Sequence, residues 1–128
     1  MKSEYSVKIT TVYGTGELSA KDEIRVKDFT SFTKVEELVK TGEEFRPEWM
    51  AELDVHNEKS ENTDYKAYVF CTEDKEMFYT SSESLAESLV DIINLKDRLN
   101  ASEDEWAVVI NEFKSKNNTG GFYKAVVV

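Results

Sequence analysis

The sequence predicts an α+β chain, mainly β: a five-stranded, partly open barrel with extra N-terminal strands and one long helix over about 82–99. Three observations carry that expectation. From Tyr65 the chain reads YKAYVFC, a polar corner TEDK, and EMFYT; alternating and aromatic residues around a charged corner are a β-hairpin pattern. Leu85, Leu89, Ile92 and Ile93 then recur at helical spacing, with Leu99 at the end, so one face of that helix is apolar. Two more strand-like runs follow, WAVVINEF and GFYKAVVV, joined by KSKNNTG.

In chain order, Tyr5, Val7, Ile9 and Thr11 alternate with Ser6, Lys8, Thr10 and Val12, a first strand that ends at the turn Gly14-Thr15-Gly16. That turn is too short and isolated to be a phosphate loop. DEIRVKDF reads as a second strand, with Ile24 and Val26 on one face and Arg25, Lys27 and Phe29 on the other. Thr33 and Glu36 have capping-box spacing before Val35, Leu38 and Val39, which predicts a short helix over about 34–40. After Arg46-Pro47, Trp49, Ala51, Leu53 and Val55 alternate with Glu48, Met50, Glu52 and Asp54, a half-buried strand with an acidic outer face. His56 to Asp64 is a polar connection. Thr80 and Glu83 repeat the capping-box spacing at the start of the long helix. Strand, strand, helix, strand, strand is the second half of several small β-folds, the oligonucleotide-binding barrel among them.

At 128 residues one domain is expected, with a core large enough to fold without staples. No apolar run approaches the ~20 residues of a membrane span, and MKSEYSVKITT has no apolar signal core. The single Cys71 excludes an internal disulfide framework; alternating with Ala67 and Val69, it reads as an inert buried thiol. The net charge of −10 argues against holding duplex DNA on a broad basic face, and equally suits a competitor of DNA for a basic partner. The charge is uneven. From Glu36 to Asp64 ten acidic residues face Lys40, Arg46 and Lys59, a balance of −7, whereas from Ala107 to Val128 the balance is +2.

No nucleophile elbow, cysteine–histidine motif or Walker-type loop is present, so no catalytic residue is assigned and the chain is not expected to be an enzyme. Asp54, His56 and Glu58 share a strand face, but no second histidine or cysteine lies near enough to complete a metal shell, so neither a metal nor a cofactor is expected. The aromatics of the hairpin and last strand leave two readings open. They pack a core on both faces of the sheet, or some of them stack on unpaired bases beside a cationic groove.

The strand order around the helix, the phrase Phe78-Tyr-Thr-Ser-Ser, and the ending Lys114-Ser-Lys to Gly-Gly-Phe-Tyr-Lys-Ala resemble small phage single-stranded DNA-binding proteins, over roughly Glu48 to Val128 with an echo in Ile24 to Phe29. The resemblance implies an oligonucleotide-binding barrel that covers exposed strands in phage replication and recombination, in the cytoplasm of a bacterial host. It implies phosphate contacts from Lys66, Lys114, Lys116 and Lys124, with Arg25 and Lys27 as further cations. Bases would stack on Tyr68, Phe70, Phe78 and Tyr123, with Trp106 as another candidate. The partners implied are single-stranded DNA and replication or recombination proteins. The terminal AVVV differs from the acidic tail of bacterial relatives. The competing expectation is an acidic decoy whose carboxylates imitate DNA phosphates and block a host nuclease or a restriction or CRISPR system. A third is an assembly protein, with AVVV as an edge strand pairing a homodimer.

Overall fold

The computed structural model describes residues 5–15, 17–59, 61, 63–114 and 121–128, with Lys114 described by its backbone. Nine-residue β1 (Tyr5–Tyr13) is followed by α1 (Ala20–Lys27), a 3-10 turn (Phe29–Ser31), β2 (Thr33–Lys34) and α2 (Glu36–Thr41). Then come β3 (Pro47–Asn57), β4 (Asp64–Thr72), β5 (Met77–Thr80), α3 (Glu83–Asn94), α4 (Lys96–Asn100), β6 (Val108–Lys114) and β7 (Gly121–Val127). The chain is α+β and mainly β, as its patterning predicts. Its main sheet is five-stranded, in the order β1-β3-β4-β5-β2, antiparallel except for the parallel β2–β5 pair, and it is not closed into a barrel.

Barrel closure fails for a topological reason. The predicted barrel needs the last two strands in the sheet, whereas β6 and β7 pair with each other as a separate two-stranded ribbon, tied elsewhere, among the described residues, by a single bridge between Val108 and Phe45. The far edge of β5 is taken instead by β2, through Thr33 opposite Phe78 and Lys34 opposite Tyr79. The ribbon lies beyond α3, and that helix seals its edge with side chains. Ser84 donates its hydroxyl to the Tyr123 carbonyl at 3.0 Å, and the Ala125 N–H donates to Ser88 Oγ at 2.9 Å. Two hydroxyls one helical turn apart thus satisfy backbone groups that an unpaired strand would leave open. Of the terminal AVVV, this edge contact with α3 engages Ala125. In the five-stranded sheet, β1 is the long strand at an edge.

The segment DEIRVKDF is α1, not a strand. Ser19 caps it, accepting from the Asp22 N–H at 3.1 Å; Asp22 and Glu23 sit in the first turn, Arg25 and Lys27 in the last, complementing the helix dipole. The two-residue alternation of Ile24 and Val26 misleads because Val26 is buried while Ile24 is exposed. The periodicity that matters is Val26, Phe29 and Phe32, three apart, which carries one apolar face through the helix and the 3-10 turn. Neither predicted capping box forms. Thr33 lies in β2, and α2 has no side-chain cap. Thr80 is still paired in β5, opposite Tyr68, so the cap moves to Ser82, which accepts from the Leu85 N–H. The long helix is two: at Leu95 the backbone leaves the helical region and its N–H is shared among the carbonyls of Asp91, Ile92 and Ile93, after which α4 runs to Asn100.

Both faces of the main sheet are covered. One face, with Trp49, Ala51, Leu53, Val55, Ala67, Val69, Cys71 and Met77, packs against Leu18, Val26 and Phe29 of the α1 segment. The other, with Met50, Tyr68, Phe70 and Phe78, packs against Leu85, Ala86, Leu89, Ile92 and Ile93 of α3, Leu38 of α2, and Val108, Ile110 and Ala125 of the ribbon. A bulge between Ile9 and Thr11 re-aims β1, so Val7 and Ile9 serve the first face and Tyr13 the second.

Gly14 joins β1 to this second layer. Its φ is +88°, and a Cβ there would stand 2.5 Å from the Glu48 carbonyl oxygen and 2.8 Å from Ile93 Cγ2. Gly14→Ala therefore lowers unfolding free energy by about 2 kcal/mol in urea titration, the usual cost of a left-handed non-glycine residue. A loss within about 0.5 kcal/mol, as at an ordinary surface site, would show that this close approach is not needed.

Candidate functional site

The predicted site residues do not converge on one groove. Arg25 and Lys27 ride α1 on one side of the main sheet, and the Arg25 guanidinium sits 4.0 Å from Asp22. Lys66 lies on the opposite face, its ammonium 2.9 Å from Glu52 Oε1, and that hydrogen bond raises its pKa. Lys124 is on the exposed side of the ribbon. The backbone of Lys114 ends β6, and Lys116 lies outside the described residues.

The aromatics proposed to stack on bases are mostly core. Phe70 is fully buried, flanked by Phe45 and Phe78 in a stack with ring centroids 5.5 Å apart on each side. Tyr68 and Phe78 are buried in the same cluster, and Tyr123 is half-buried against it. Trp106 is buried and clamped: its indole N–H donates to Asn100 Oδ1 at 3.0 Å, its carbonyl accepts from Arg46 Nε at 2.9 Å, and the same guanidinium lies 4.9 Å from its ring centroid. Rings enclosed in this way have no free face for a base, because covering both faces of the sheet consumes them. The exposed aromatic pair lies outside the rings that the resemblance assigns to base stacking. Phe113 and Phe122 are directly opposite in the ribbon and stack at 5.7 Å, with Lys124 two pairs along, opposite Asn111. Their cross-strand match was legible only once the ribbon register was known.

The remaining surface is acidic, and one part of it is shaped. Between α3 and the sheet runs a groove of about 410 Å³. Met50, Ala86, Val90 and the rings of Tyr13 and Tyr68 form its apolar part; Glu52, Glu83, Glu87 and Asp91 are its carboxylates. The last three stand four residues apart on α3, so they form a row on one helix face at intervals of about 6 Å. They are exposed, and among the described residues none of the three has a cation within salt-bridge distance. Glu52, across the groove, is held by Lys66. Tyr68 reports the local field: its phenol pKa is raised, first by burial and then by the negative charges of Glu52, Glu83 and Glu87.

Cys71 is buried, and burial followed by the charge of Glu48 pushes its thiol up to about 11. His56 Nδ1 lies 2.7 Å from Asp64 Oδ1 and Nε2 lies 3.8 Å from Glu58, tying the ends of β3 and β4 together; no group of three metal-ligating side chains forms among the described residues. No helix among these residues is long and apolar enough to cross a membrane. No family model, curated protein or solved structure matches the chain.

Two outcomes follow from these placements. Phe70→Ala should cost about 3–5 kcal/mol of unfolding free energy, as large-to-small core substitutions do. A surface stacking ring would cost under about 1 kcal/mol, so a denaturant titration separates the two. Iodoacetamide should label Cys71 in the native protein at pH 8 about a hundredfold more slowly than in urea, since a shift from 9.0 to about 11 removes that share of thiolate. Because the folded thiol is the weaker acid, its contribution to stability is complete below about pH 9 and is lost as pH rises through about 11. Native labelling as fast as unfolded labelling would place this thiol at the surface.

Proposed function

We propose that this protein acts as an acidic DNA mimic, binding a basic protein surface such as the DNA channel of a host nuclease or of a restriction or CRISPR effector. The row of Glu83, Glu87 and Asp91 on α3 carries the reading. It is negative charge held at regular spacing by a rigid, packed helix, with no cation neutralising it among the described residues. A phosphate backbone offers a cationic channel the same thing, a fixed row of charge whose binding releases counterions. The helix is anchored through Leu85, Leu89, Ile92 and Ile93 on its other face, so the row keeps its geometry when it meets a partner. Net charge of −10 adds long-range attraction to a basic partner and repulsion from nucleic acid.

Single-stranded DNA binding, the reading that the resemblance implies, is the second. The exposed Phe113–Phe122 stack, with Lys124 two pairs along, supports it, since two accessible rings near a cation suit a base and its phosphate. It would use a surface different from the buried rings of β4 and β5.

One experiment weighs both. Purified restriction and CRISPR nucleases are assayed on plasmid DNA with and without the protein, while a labelled thirty-nucleotide poly-dT is titrated by anisotropy in low salt. The mimic slows cleavage by at least one nuclease, leaves poly-dT unbound, and loses about tenfold or more of its inhibition in the triple variant Glu83→Gln, Glu87→Gln, Asp91→Asn, as expected for charge pairs desolvated in a complex. Unaltered cleavage throughout, with saturable poly-dT binding abolished by Phe113→Ala and Phe122→Ala, would overturn the mimic in favour of strand binding.

A further inference from the structure

The groove under the acidic row holds a polar group that the fold leaves unused. Tyr68 is only 6% exposed, yet it lines the groove, and its hydroxyl has no hydrogen-bond partner among the described residues. Its oxygen reaches the solvent-facing surface of the groove and is open to an incoming donor. The strand neighbours of Tyr68 do not supply a partner: Glu52 beside it turns to Lys66, and Thr80 accepts from the Ser82 N–H. The hydroxyl instead stands where the carboxylates of Glu52, Glu83 and Glu87 act on it, at the junction of the groove's apolar wall and its charged rim.

We propose that this groove is a receptor for arginine side chains of the basic partner, the aliphatic stem lying on Met50, Ala86 and Val90 and the guanidinium held by the α3 carboxylates and Tyr68 Oη. The proposal rests on the acidic-mimic reading and specifies how its site works. Three properties favour arginine. A guanidinium presents five donors in a planar fork, enough for a carboxylate and a phenol oxygen together, where a lysine ammonium is a compact, strongly hydrated point charge. The half-buried ring of Tyr13 in the wall gives a planar cation a surface to lie on. The carboxylates follow one helix face over two turns, so the groove, at about 410 Å³, accommodates successive cationic side chains of one segment.

The test uses the intact chain and hexa-arginine as probe, with hexa-lysine and spermidine as comparators, in calorimetric titrations at fixed ionic strength. The groove binds hexa-arginine at least about fivefold more tightly than hexa-lysine. Tyr68→Phe, which removes only the hydroxyl and keeps the ring in the core, weakens hexa-arginine binding about tenfold or more, the worth of one hydrogen bond to a charged group. The triple variant Glu83→Gln, Glu87→Gln, Asp91→Asn weakens it further. A second triple, Glu103→Gln, Asp104→Asn, Glu105→Gln, removes the same charge away from the groove and changes binding less than about twofold. Equal losses from the two triples, or hexa-lysine or spermidine binding as tightly as hexa-arginine, would overturn the proposal in favour of diffuse counterion attraction. The two readings also fail separately. Nuclease inhibition that survives Tyr68→Phe unchanged, with no arginine preference, removes the groove and leaves the mimic. Arginine-selective, Tyr68-dependent binding without inhibition of any nuclease removes the mimic and leaves the groove.

Discussion

Strand β4 is buried on both sides, and the architecture follows from that. Ala67, Val69 and Cys71 face the α1 layer, while Tyr68, Phe70 and Thr72 face α3 and the ribbon, and all six are buried. A strand apolar on both faces needs a cover on each. One cover is the single apolar face made by Val26, Phe29 and Leu18; the other takes the apolar stripe of α3 together with the inner side of β6–β7. Burying a ring such as Phe70 is worth roughly 1.5–3 kcal/mol, and a flanking stack on each side adds to it, so these rings are held in the core with no face for a base to stack on.

That double cover also explains where function can lie. With the core rings spent inside, the surface around them is left to charged residues, and several cations pair with carboxylates nearby: Lys66 with Glu52, Lys75 with Glu48, Lys96 with Glu73, Arg25 with Asp22. Each exposed pair adds little to stability, but each neutralises a charge that an anionic ligand would have needed. The excess that remains is acidic, and on α3 it is ordered into a row because four-residue spacing on a helix returns to the same face. The same helix buries its apolar stripe, covers the free edge of β7 through Ser84 and Ser88, and carries the acidic row outward. Packing and recognition thus meet on one element.

Sequence periodicity by itself determined the β4–β5 hairpin, the apolar stripe of α3, the hairpin of the last two strands, the buried state of Cys71 and the mainly β character of the chain, because each depends on neighbours within about ten residues. Glu83, Glu87 and Asp91 were equally visible in it, but only as helix-surface charge. Tertiary structure decided what depends on distant partners. Segment 20–27 became a helix because Ser19 could cap it and Val26 and Phe29 had a sheet face to cover, a face whose buried centre comes from β3 and β4, more than twenty residues away in sequence from Val26. The ribbon stayed out of the main sheet because α3 occupies its edge and β2 occupies β5. Whether an aromatic on an alternating strand faces water or core is not written in its own alternation; it is set by what packs above it, and here both faces were covered. The groove needs Glu52 from β3, Tyr68 from β4 and a carboxylate row from α3 in one place, and only the folded chain brings them together.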